Sequence, residues 1–177
     1  MPVRLRNEAL RAFRDAIDRA LSCVTGLPII ARQRRSSDVA VFEFETPGEF
    51  VPLRGPLRLG LRVRLRAQIG PVDASARAWQ ASIVAYQYAL LDSDGREPLA
   101  YHWHPDSVSH VTEPHLHLGP AAQVGVPVLV AAHLPTGAVG LPAALRLAVD
   151  AFSTRPLRRD WSATLATTGP ALATTLA

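Results

Sequence analysis

Residues Tyr101 to Pro120 read YHWHPDSVSHVTEPHLHLGP and contain two His-x-His pairs, His102/His104 and His115/His117. His110 lies between the pairs and His133 follows, so all 6 histidines of the chain fall within residues 102–133. In a β-strand, residues two apart share a face, so each pair projects its rings to one side. If the two strands are neighbours, four imidazoles converge, with His110 on the connecting loop. His133, at the end of a later strand, is the histidine least expected to take part.

Three chemistries fit this pattern. In the first, one neutral imidazole removes the proton of a ribose 2′-OH and a second, protonated one donates to the leaving 5′ oxygen. An ordinary pKa near ~6.5 makes both forms accessible at neutral pH. The candidate catalytic residues are then Tyr101, His102, His104, His110, His115 and His117, with Tyr101 or an arginine stabilising the phosphorane. In the second, His102, His104, His115 and His117 bind Zn²⁺ or another borderline metal, helped by Asp106 or Glu113. The cupin pattern is not met, because Pro105 and Asp106 follow the first pair where a Glu is wanted. The three-His run of histidine-triad nucleotide hydrolases is not met either, since Gly119 stands at its third position. In the third, the histidines and Trp103 fill half-buried strand positions and bond to backbone.

A basic stripe accompanies the histidines. Arg58, Arg62, Arg64 and Arg66 alternate with Leu59, Leu61, Val63 and Leu65, and Arg54 adjoins them. No acidic residue occurs between Glu49 and Asp73. The stripe is a candidate surface for RNA or DNA phosphates, or for an acidic protein. The competing reading is a solvated strand face whose arginines discourage edge pairing, and no stacking aromatic alternates with them. Arg32, Arg34 and Arg35 extend the stripe; Arg155, Arg158 and Arg159 form a second basic group.

The elements that must hold these residues follow from periodicity. Leu10, Phe13, Ile17, Ala20, Leu21 and Val24 make one apolar stripe, predicting an amphipathic helix over Arg6 to Val24 that Thr25-Gly26-Leu27-Pro28 ends. Strands are expected at 29–33, 39–45, 57–67, 79–91, 99–104, 115–118 and 126–133, with a hairpin turn at Asp92 to Gly95. Helices are expected near Pro142 to Phe152 and Arg159 to Thr167, and residues 168–177 read as a loose tail. The order predicts one α+β domain over 1–167: an antiparallel sheet with the N-terminal and C-terminal helices packed on one face.

Composition narrows the classes. All 19 basic residues of the 177 are arginine, which excludes Walker-lysine and Schiff-base chemistry. The Arg bias with abundant Ala, Leu and Val fits a GC-rich coding genome as well as any phosphate-binding role. One cysteine, Cys23, excludes an intrachain disulfide and a cysteine-rich zinc ribbon. The longest apolar stretch, near Val124 to Ala132, is short of the ~20 residues needed to span a bilayer. No membrane association and a cytoplasmic protein are the expectation.

From Ala85 to about Asp160 the order of features resembles TumE-type toxins of prokaryotic toxin–antitoxin pairs. The matching features are Tyr86-Gln87-Tyr88-Ala89-Leu90, the Asp92 to Gly95 hairpin, Tyr101-His102-Trp103-His104-Pro105, His115-Leu116-His117 and the helix after Pro142. Ala100-Tyr101-His102-Trp103 stands where that family tends to have an Arg-Tyr-Asp-Asn-like element, and its lysine beside the His pair is absent. The resemblance implies a toxin–antitoxin setting, with an antitoxin protein as partner, more than a reaction; RNA as substrate is suggested instead by the clustered histidines beside the arginine strand. A metal-binding hydrolase or structural zinc protein is the alternative. A third class is an interaction module whose sheet edge and first helix dock a partner or a second copy.

Overall fold

The strongest alternation in the chain forms its central strand, but three residues later than expected. In the computed structural model, which describes residues 5–34, 40–72, 78–106, 108, 110–125, 127–130 and 132–173, this strand is β4 (Gly60–Pro71). Gly55 to Arg58 form a turn instead, closed by the Arg58 N–H on the Gly55 carbonyl, and Leu59 leads into the strand. Arg58 has φ 49°, left-handed backbone that no strand allows. It therefore leaves the arginine stripe.

Along β4, Leu61, Val63, Leu65, Ala67 and Ile69 are buried while Arg62, Arg64, Arg66 and Gln68 face outward. The other strands, each antiparallel to its neighbours, are β1 (Ile30–Arg34), β2 (Ala40–Glu45), β3 (Val51–Pro52), β5 (Trp79–Leu91), β6 (Leu99–Trp103), β7 (His115–Leu118) and β8 (His133–Pro135). The sheet order is β1-β2-β4-β5-β6-β7-β8, with β3 pairing the start of β4. A register shift at Arg66/Ala67 marks a β-bulge, which kinks and twists the sheet beside the histidine strands. The strand expected over 126–133 is instead a 3-10 turn, Pro127–Val130, followed by β8. A proline opens that turn, and Pro supplies no N–H to a sheet ladder. Arg35, Val39, Val126 and residues 174–177 lie outside the described residues.

The three helices pack on the inner face. Helix α1 (Arg6–Leu21) buries Ala9, Phe13, Ile17, Ala20 and Leu21, and the Phe13 ring meets Phe44 of β2 edge-on at 5.3 Å. Phe13, Ile17 and Leu21 each contribute about 1.5–3 kcal/mol on burial. Asp18 accepts the Ile29 N–H at 2.7 Å, which ties the helix to the entry of β1. Helix α2 (Leu141–Asp150) buries Leu141, Ala144, Leu145 and Ala148, and helix α3 (Trp161–Thr168) buries Leu165. Tyr86 and Tyr88, stacked at 4.7 Å on the inner face of β5, meet the chain entering α2. The Val139 N–H donates to the Tyr86 hydroxyl at 3.0 Å. The Leu141 N–H approaches the Tyr88 hydroxyl, which is fully buried, without reaching hydrogen-bond geometry. The tail expected to be loose from Thr168 is packed as far as Leu172, a fully buried residue of a 3-10 turn. The molecule is the α+β sheet-and-helix arrangement its periodicities predict.

Candidate active site

With every helix behind the sheet, its outer face carries the polar side chains, and strand register sorts them into rows. One row runs Glu45, Arg64, Gln87, His102, His115 across β2, β4, β5, β6 and β7. The next runs Arg62, Ala89, Ala100, His117, His133. The first half of each row is arginine territory and the second half is histidine territory. Phe50 covers Ala89, Leu91 and Ala100 at the end where β3 folds over, so the small residues there are packed.

The two His-x-His pairs converge as their spacing predicts. His102 lies 5.6 Å from His104, 5.6 Å from His115 and 5.9 Å from His117, ring centre to ring centre. His104 and His115 are 5.8 Å apart. The fifth ring is His133, which stands 4.7 Å from His115 and 5.7 Å from His117 because β8 pairs it directly opposite His117. The histidine least expected to take part is a full member. The other two candidates lie elsewhere. Tyr101 is one residue out of phase with His102, so it points to the inner face and packs against the core beside Ala144 and Leu147 of α2. It is too far round the strand to reach a phosphorane on the histidine side. His110 is exposed on the loop and touches the cluster only through its charge on His133.

The hydrogen bonds divide the rings. His115 is 3 % exposed, and its Nδ1–H donates to the Glu113 carbonyl at 2.8 Å, leaving Nε2 with the lone pair. His117 Nδ1 faces Glu97 Oε1 at 3.4 Å. The Gln87 amide nitrogen lies 3.3 Å from His102 Nε2 and 3.5 Å from Glu97 Oε2. Burial, with the neighbouring histidines, lowers the His102 pKa from 6.5 to about 4. His104 is lowered by burial, His115 and Arg66, and His133 by partial desolvation with His115, His117 and His110. The central ring is neutral at physiological pH.

Glu97, which ends the hairpin loop before β6, gave no signal in the sequence because it belongs to no motif. Its role appears only when the hairpin brings it against β7. Of the proposed oxygen ligands, Asp106 is engaged by Arg66 at 2.6 Å, whereas Glu113 meets His115 through its backbone carbonyl and its side chain is exposed.

The arginine stripe is less bare than the local sequence suggests. Glu43 and Glu45 of β2 stand opposite Arg66 and Arg64, and Glu45 also pairs with Arg32. Arg34 meets Glu43 at 3.2 Å, and Arg62 donates to the Glu49 carbonyl at 2.9 Å. Arg64 makes no ion pair among the described residues. A groove of about 430 Å³ lined by Arg64, Arg66, Gln87, His104 and Asp106 joins the two territories.

An imidazole bound at ~2.0–2.1 Å puts ligand rings around one ion roughly 5 Å apart. The triangle of His102, His104 and His115 is close to that spacing. Yet among the described residues no group of three or more His, Cys, Asp or Glu side chains is arranged to hold a metal ion. Zinc would require the rings to turn.

No family model, curated protein or solved structure matches this chain. Among the described residues no helix is long and apolar enough to cross a membrane.

Proposed function

We propose that the chain cleaves RNA by imidazole acid–base catalysis and is the toxin of a toxin–antitoxin pair. The observation that carries the cleavage reading is a cluster of five imidazoles in mutual contact, one of which, His104, lines a groove edged by Arg64 and Arg66 on the same sheet face. The toxin setting, with an antitoxin protein as partner, rests on the resemblance of residues 85–160.

His104 is the base. It is half-buried, held in the neutral form, and adjoins the groove beside Arg66. It takes the 2′-OH proton as the 2′ oxygen attacks phosphorus. His117 is the acid, its Nδ1 held against the Glu97 carboxylate at 3.4 Å. It gives its proton to the 5′ oxygen as the P–O5′ bond breaks, leaving a 2′,3′-cyclic phosphate and a 5′-OH. Arg64 and Arg66 offer guanidinium groups to the phosphorane.

Total RNA incubated with the purified chain and a chelator should yield 2′,3′-cyclic phosphate ends. DNA, which lacks the nucleophile, should stay intact. His104→Ala or His117→Ala should each slow cleavage by about 10²-fold or more, the usual share of one acid or base. Undiminished cleavage by both variants, or none by the wild type, overturns the reading. Cleavage abolished by chelation and restored by Zn²⁺ replaces it with metal-assisted hydrolysis.

A further inference from the structure

We infer that Glu97 is the positioning residue of this cluster: its carboxylate holds the His117 ring by Nδ1 and, through the Gln87 amide, sets the His102 ring beside it. The assignment rests on the proposed acid role of His117 for its meaning, but its geometry stands independently.

Two features leave this carboxylate to the histidines. The neighbouring Arg96 is consumed within the turn, bonding Asp92 at 2.9 Å and Asp94 at 2.8 Å. Asp92 also accepts the Asp94 and Arg96 N–H groups, each at 2.9 Å, which fixes the loop carrying Glu97. On the other side Gly119 follows β7, and its N–H donates to the Pro98 carbonyl at 3.1 Å. A Cβ at Gly119 would lie 1.7 Å from the Glu97 carbonyl oxygen. A bare backbone is therefore what lets Glu97 close on His117.

The bonds then set tautomers. A carboxylate only accepts, so the His117 proton facing it is on Nδ1, and Nε2 carries the lone pair or the catalytic proton. The Gln87 amide, turned by Glu97 to present its N–H groups, donates to His102 Nε2 and leaves that ring's proton on Nδ1. The groups facing His117 are Glu97 from the hairpin, His102 from β6, His133 from β8 and His115 on its own strand. Glu97 is the anion among them. Such outer partners fix ring orientation at reactive histidines generally.

The test is imidazole ¹⁵N NMR of the full chain, assigned with single histidine variants. Wild-type His117 should show the Nδ1–H tautomer. Glu97→Ala should shift it toward the Nε2–H tautomer favoured by free imidazole, whereas Glu97→Gln, whose amide oxygen still accepts, should retain Nδ1–H. On RNA, Glu97→Ala should lower kcat by about tenfold or more while KM changes less than about twofold. Should Glu97→Ala not fold, Glu97→Asp withdraws the carboxylate by one methylene and is read the same way. A His117 tautomer unchanged in a folded Ala or Asp variant overturns the assignment. Failure of the wild type to cleave RNA would remove the proposed function without touching the tautomer result.

Discussion

His102 pays for its central place with its charge. Its ring is enclosed by the other imidazoles and half-buried, so its pKa falls from 6.5 to about 4 in the folded chain. In the unfolded chain it returns to about 6.5. Between those values the unfolded state binds the extra proton, so folding stability is complete above about pH 6.5 and lost as pH drops toward 4. The loss from this one residue amounts to about 3 kcal/mol at most. His104 and His133, shifted the same way, add to it. Urea midpoints measured near neutral pH and near pH 4.5 should therefore separate clearly for the wild type. They should converge in part for His102→Asn, which keeps a polar planar group but does not titrate here. Equal midpoints for the wild type at both pH values would remove the claim that the central ring is held neutral.

At the scale of elements, the spacing that is local in sequence predicted best. Period-two alternation gave β4, β5 and β6 and put each His-x-His pair on one face. It also contained the correction for Tyr101, whose odd step from His102 already assigns it to the inner face. Other features depend on contacts between distant segments. His133 joins the cluster because a 3-10 turn, rather than a strand, delivers β8 in register with β7. Glu97 reaches it only because the hairpin closes, and Gly119 is where that closure is most exacting. Gly119→Ala should overpack this contact and cost about 1–3 kcal/mol, displacing Glu97 from His117 as well. Gly70→Ala, also at a strand position but with nothing within 4 Å of the added methyl, should leave stability unchanged or slightly raised. Thermal or urea denaturation of the pair checks this directly. Equal stability of the two variants would show that the β7 junction yields without cost.

For the whole molecule, the separation of helices from the polar face decides how a polyanion would be held. The formal net charge is +4, yet the open face is a chequerboard rather than a basic patch. Arg32, Arg34 and Arg66 are paired with Glu45, Glu43 and Asp106. Arg64 and Arg62 are the cations of the stripe left without an acidic partner among the described residues. RNA affinity should consequently show a shallow salt dependence, with a slope of about −0.7 per phosphate contact on single strands. Fluorescence anisotropy of a labelled single-stranded RNA between about 50 and 200 mM salt, on a His117→Ala background that spares the probe, measures it. Arg64→Ala should flatten the log–log slope by about 0.7. Arg66→Ala should flatten it less, because its phosphate contact competes with Asp106. Asp106→Asn should steepen it by releasing Arg66 to the phosphates. An Arg146→Ala variant, on helix α2 where the guanidinium meets Ser162 and Trp161 of α3, should leave the slope as it is. If Arg146→Ala flattens the slope and Arg64→Ala does not, the RNA lies on the helix side of the molecule, and the histidine face is not where it binds.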